Sequence, residues 1–237
     1  MRKRHALVIA LEAAFLAAGL LALTLLGDWA VSIYTKSGNV DMPDGSAPLI
    51  VIDAGHGGMD GGAVGVNGIV EAPLNLAVAK LVQQGLQDRG YRVKMTREDD
   101  TALGASKSAD MQMRRKMMRT EGVSAVVSIH MNKFRDCAVN GPRSFFMQGS
   151  RRGEFLATIV LTAVCEAVEH PRRIVATENY FVLRESIAPA VLVECGYLSN
   201  PTDAKNLQDP AYQQKLADGI VAGVVIYFAS MPVLEEE

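Results

Sequence analysis

The sequence predicts an α/β domain, a largely parallel twisted sheet flanked by helices on both faces, with a transmembrane helix at its N-terminus. Two observations predict the domain. Short, continuously apolar runs of the kind that form strands buried on both faces recur along the chain. Amphipathic stretches of helical period alternate with them, which is the order of elements that builds an α/β sandwich. A third observation, a long apolar segment behind a basic cluster, predicts the membrane helix.

That segment comes first in the chain. Arg2, Lys3 and Arg4 lie in a basic segment, residues 1–5, ahead of an apolar run over residues 6–26 that only Glu12 and Thr24 interrupt. At the helical rise the run spans about 31 Å, the thickness of a bilayer core. The basic cluster assigns residues 1–5 to the cytoplasm and everything after the run to the outside. Trp29 and Tyr34 fall where interfacial aromatics belong. A cleaved signal peptide has the same charge layout and would make the protein secreted. The run exceeds a usual signal core and no clear A-x-A follows it, which favours an anchor.

Residues 27–47 read as a linker, ending in the polar, Gly/Pro/Ser-containing TKSGNVDMPDGSA. The folded domain is expected over 48–231, and residues 232–237 form an acidic tail. A chain of 237 residues with 49% apolar and 21% charged residues suits one domain with appendages. A net charge of −2 argues against a nucleic-acid binder that works by neutralising many phosphates.

Within the domain, LIVID at 49–53 reads as a buried strand entering a glycine-rich loop. Leu74 to Arg89 reads as a helix with Leu74, Val78, Leu81, Val82 and Leu86 on one face and Gly90 as its stop. Tyr91 to Thr96 follows as a strand, and Ala109 to Thr120 as a basic, methionine-rich helix. Its Arg114, Arg115, Lys116 and Arg119 are expected on a solvated face and its methionines in the core. Strands are expected at 125–129, 144–147, 180–183 and 190–193, and a helix over 153–168. Asn200 with Pro201 makes an N-cap and first-turn pair, and the last long helix covers 211–229.

Three of the predicted buried strands run into residues suited to metal chemistry. LIVID leads into Ala54-Gly55-His56, AVVSI into His130, and AVLV into Glu194. In open α/β sheets ligands bind beyond the carboxyl ends of the strands. His5 precedes the membrane segment and His170 precedes Pro171 at a helix end, which leaves His56 and His130. Catalytic zinc commonly takes two histidines and a carboxylate with one position open. Glu71, between the glycine-rich loop and a helix, is the best third ligand. Each histidine alone reads better as a satisfied core residue than as a ligand; together with Glu71 and Glu194 the two readings stand level. The loop is not a phosphate cradle. Gly55 and Gly57 would need a glycine at 60, where Asp60 stands, and no G-K-[ST] follows.

VIDAGHGGMDGGAVG (51–65), Glu71, SIHMN (128–132) and VLVECGYLSNP (191–201) together resemble the zinc-dependent N-acetylmuramoyl-L-alanine amidase family. NYFVLRES (179–186) and DPAYQQKLADGI (209–220) are similar in particular to its CwlD-type members from spore-forming bacteria. The resemblance implies one Zn2+ per chain on His56, Glu71 and His130, with Glu194 as catalytic glutamate. It implies substrate contacts from Asn132 and Arg184, and a place near the substrate groove for Arg97. It also implies peptidoglycan as substrate, cleavage between N-acetylmuramic acid and L-alanine, and a role in spore cortex, where amidase action precedes muramic δ-lactam formation. An activating partner protein fits that setting; a nucleic acid does not. Ala72-Pro73 after Glu71 and the basic KFRDC at 133–137 depart from the family pattern.

Asp53 reads either as a partner orienting a ligand histidine or as a cap for loop amides. Cys137, Cys165 and Cys195 lack metal-type spacing, and a Cys137–Cys165 disulfide is an open alternative. A thiol hydrolase using Cys195 is disfavoured, because a strand neighbour of Glu194 points to the opposite face. A vegetative-wall amidase and a non-catalytic peptidoglycan-binding protein remain as rivals.

Overall fold

The structure, a computed structural model, describes residues 47–231. The expected anchor at 6–26, the linker up to residue 46 and the tail at 232–237 lie outside the described residues. Among the described residues no helix is long and apolar enough to cross a membrane.

Six strands form one sheet: β1 (Leu49–Ala54), β2 (Arg92–Met95), β3 (Val123–Asn132), β4 (Arg143–Phe146), β5 (Ala176–Thr177) and β6 (Ala190–Tyr197), in the order β2-β1-β3-β6-β4-β5. The first four in that order are mutually parallel, as expected from buried runs joined through helices. The sheet is largely parallel, in four of its five strand pairings, and departs from that only at the far edge. β4 runs antiparallel to β6, and β5 pairs parallel to β4, so the sheet is mixed. The connection from β3 to β4 contains no helix, so the chain turns back at the sheet end it has just reached and the next strand runs antiparallel.

Helices cover both faces. α1 (Glu71–Gln87), α3 (Arg151–Ala167) and α6 (Pro210–Ala229) pack over the larger core, built on Ile50, Ile52, Val127, Ile129, Val191 and Val193. Their sequence neighbours Val51, Val126 and Leu192 face a smaller core with Met118 of α2 (Lys107–Met118) and Val182 and Leu183 of α4 (Phe181–Glu185). Alternation along the strands puts Asp53, His130 and Glu194 on the smaller-core face and Cys195 in the larger core. A short α5 (Pro201–Asn206) follows β6, capped by Asn200 Oδ1, which accepts from the amides of Thr202 and Asp203 at 3.0 Å each.

Several boundaries differ from expectation. Residues 180–183, expected as a strand, instead cap and open α4; a four-residue apolar run carries no period that separates strand from helix. α1 begins at Glu71, three residues before Leu74, so the candidate ligand sits in its first turn, with Pro73 two residues behind it. Only Met118 of the α2 methionines is fully buried, and Met113 is exposed. All three cysteines are free thiols, Cys137 exposed and the other two buried.

Candidate metal centre and catalytic cavity

The turn after β1 brings His56 to the sheet edge with a left-handed backbone, φ 61°. Two buried arginines hold this turn. Arg97 donates to the carbonyls of Ala54 (3.0 Å), Gly55 (3.0 Å) and Ala72 (2.8 Å), tying the loop to the start of α1. Arg114 donates to the carbonyls of Ala54 (2.9 Å) and His56 (2.6 Å) and pairs with Asp53 at 2.5 Å and Asp110 at 2.7 Å. These contacts correct two expectations. Arg114 is not on a solvated face but 2% exposed, and Arg97 is a buried brace of the loop. Asp53 touches neither histidine; it accepts from Arg114, Thr96 (3.0 Å) and Ser128 (2.6 Å). Burial opposes its ionisation, but Arg114, the Ser128 hydroxyl and His130 outweigh that and hold its pKa below the usual range.

Glu71 stands between the two imidazoles. Its Oε1 lies 2.8 Å from His130 Nδ1 and its Oε2 3.3 Å from His56 Nε2. One ligand atom from each of His56, Glu71 and His130 falls within 4.8 Å of the others. The Glu71 carboxylate is further held by the amides of Ala63 (2.8 Å) and Met131 (3.2 Å) and by Asn75 Nδ2 (3.0 Å), one helical turn along α1. His56 Nδ1 lies 3.1 Å from Asp60, which in turn pairs with Lys107 at 3.0 Å. Gly55 and Gly62 make this packing possible. A Cβ at 55 would overlap the His130 ring, and one at 62, where φ is +73°, would press on His56 and Glu71.

Glu194 is the Cα partner of His130 across the β3–β6 pair. It is 8% exposed, and its Oε2 is buried without a hydrogen-bond partner among the described residues. Burial, and then the Glu71 charge, push its pKa up to about 7 against the opposing pull of His130. Glu71 behaves oppositely. Burial disfavours its charge, yet the His130 bond and both imidazoles bring it down to about 2. For His130, burial opposes protonation, but the Glu71 bond and the Glu194 and Glu71 charges raise its pKa.

All four side chains line one cavity of about 410 Å³. Asn132 lines it as well; Arg184 does not. Arg184 pairs with Glu185 at 3.2 Å, stacks on Phe181 and borders a separate depression. Two histidines and a carboxylate beside an orphaned buried carboxyl oxygen fit a divalent metal of the zinc type. Sequence reasoning missed Asp60, Asn75 and Arg114. The i,i+4 spacings of Asp60 from His56 and of Asn75 from Glu71 were local signals for the first two. Arg114 had only its i,i+4 spacing from Asp110, which fits a solvated helix face equally well.

The sequence profile of the N-acetylmuramoyl-L-alanine amidases matches residues 50–225. The chain belongs to the N-acetylmuramoyl-L-alanine amidase family. It is therefore an enzyme, an amidase of peptidoglycan. It is 33% identical over 192 residues to the germination-specific N-acetylmuramoyl-L-alanine amidase of Bacillus subtilis, covering 77% of this chain and 81% of that one. It is 34% identical over 183 residues to the probable cell wall amidase LytH of Staphylococcus aureus, but covers only 58% of that protein. Among solved structures, the CwlD amidase of Clostridioides difficile, determined in complex with the GerS lipoprotein, superposes with a TM-score of 0.74. That match has 27% identity and covers 77% of this chain and 98% of the other. The catalytic domain of the amidase CwlV from Bacillus (Paenibacillus) polymyxa gives 0.70 at 33% identity, covering 77% and 98%. The recognition made from four motifs is thus borne out, including its CwlD-type affinity.

Proposed function

We propose that this amidase is zinc-dependent and cuts the amide between the lactyl group of N-acetylmuramic acid and L-alanine of the stem peptide. The observation that carries the reading is the convergence of His56, Glu71 and His130 beside Glu194, a buried carboxyl with an unpartnered oxygen. His56, Glu71 and His130 would hold one zinc ion. Zinc supplies Lewis acidity toward a carbonyl and acidifies water. Glu194, with a pKa near 7, accepts a proton from the attacking water and delivers it to the departing alanine nitrogen. The net change is one water consumed, one carboxylic acid and one amine formed. Asp60 and Asn75 orient His56 and Glu71 from behind, and Asn132 at the cavity wall contacts substrate.

The biological setting we infer is spore cortex, upstream of muramic δ-lactam formation. The germination-specific relative and the CwlD neighbour support it over a vegetative role. The neighbour's lipoprotein complex supports a partner protein for this chain too. The basic and apolar N-terminal pattern supports membrane attachment through residues 6–26, with the catalytic domain at 48–231 outside the cytoplasm.

The test is mass spectrometry of purified peptidoglycan incubated with the full chain, with and without zinc and chelator. Stem peptides with a free L-alanine amino terminus should appear with zinc and vanish with chelator. No new amino terminus would sink the amidase reading, and chelator-resistant cleavage would sink the zinc.

A further inference from the structure

Across the sheet edge, β3 carries His130, β6 carries Glu194, and β4 lies on the far side of β6. Over β4 stands Tyr180, the residue that caps α4. Its ring packs edge-on against Phe145 of β4, with centroids 5.6 Å apart and planes at 87°. Phe145 is itself paired with Leu192 of β6, two residues before Glu194. The turn behind the ring is fastened by the Arg184 amide to the Tyr180 carbonyl at 3.0 Å and by Arg184 Nη1 to Asn179 at 3.2 Å. Tyr180 lines the same cavity as the metal-ligand candidates. Among the described residues its hydroxyl makes no hydrogen bond, and the residue is 37% exposed.

A phenol packed on one edge against Phe145, on the wall of a reaction cavity and with no protein partner for its hydroxyl, is a ready donor to a substrate carbonyl. The order of groups says which one, given the proposed function on which this step rests. The ligand candidates take the carbonyl end of the scissile amide, and Glu194 takes its nitrogen. The next position beyond Glu194 then faces the residue that bears that nitrogen. We propose that the Tyr180 hydroxyl donates a hydrogen bond to the carbonyl oxygen of the stem peptide's L-alanine, fixing the leaving group for protonation by Glu194. The closeness of Tyr180 to Glu194 is also felt in its pKa, which burial and the Glu194 charge raise, so the phenol is a donor at neutral pH.

The test uses the zinc-loaded full chain, Tyr180→Phe, and two soluble muramoyl peptides, one natural and one with the L-alanine carbonyl reduced to a methylene. On the natural substrate Tyr180→Phe should lower kcat/KM about tenfold, the effect of one neutral hydrogen bond, with zinc content and melting temperature unchanged. On the reduced substrate the two enzymes should be indistinguishable. An equal penalty on both substrates, no penalty on the natural one, or loss of zinc or stability in the variant overturns the proposal. Failure of the unsubstituted enzyme to cut any muramoyl peptide would instead overturn the function on which it rests.

Discussion

The Arg114 guanidinium joins Asp53 to the backbone of His56: one nitrogen lies 2.5 Å from the Asp53 carboxylate, and another 2.6 Å from the His56 carbonyl oxygen. A charge pair in the interior thereby sets the position of a candidate metal ligand through its main chain rather than its ring. Replacing Arg114 with Met leaves Asp53 buried without its cation and frees the loop. Urea unfolding should show a loss of about 3–5 kcal/mol. Arg114→Lys should not restore it, because an ammonium cannot span the four acceptors a guanidinium fork reaches.

The same pair makes stability depend on acid. The folded pKa of Asp53 is depressed, so its contribution is complete above the ordinary aspartate value and fades as pH falls through the folded value. Unfolding free energy should therefore drop below about pH 4, and Asp53→Asn should flatten that drop. An unchanged acid slope in the variant would show that Asp53 is not the group titrating.

Glu194→Gln keeps the shape of the side chain and removes its basicity. Turnover should fall roughly 10²–10⁴-fold while zinc content by elemental analysis stays at the wild-type value. Wild-type turnover in this variant would remove Glu194 from the chemistry.

Asp60→Asn weakens the partner behind His56 without touching the other two ligand candidates. Competition with a fluorescent chelator should show metal affinity reduced about 10–100-fold. Affinity equal to wild type would mean that the Asp60 contact does not orient the imidazole.

Gly55→Ala places a methyl where the His130 ring now lies. Bound zinc and activity should fall together, with a stability cost of about 1–3 kcal/mol from overpacking. Full zinc occupancy would show that the ring has room to move without losing its ligand geometry.

Much of this site was legible in the linear chain. His56, His130 and Glu194 were found because buried strands announce themselves by unbroken apolar runs, and whatever follows such a run arrives at a sheet edge. Glu71 was found because it stands at the border of a glycine-rich loop and a helix. Cys195 was set aside because neighbouring strand residues face opposite ways, and it lies in the larger core. The four motifs in register identified the family.

Local pattern alone determined five of the six strands, most helices and the candidate donor set, since each depends on residues a few positions apart. The tertiary structure alone decided what those local signals cannot hold. It turned β4 and β5 against the rest of the sheet, because pairing direction follows from where a connection lets the chain return. It buried Arg97 and Arg114, which a helix pattern or a basic run places in water, because most of their acceptors lie 25 to 61 residues away in sequence. It moved Arg184 off the cavity and put Tyr180 on it, because a capping residue and the turn behind it face opposite sides of one short helix. Charge and burial in a protein interior are set by the neighbours that folding supplies, and those neighbours are written far apart.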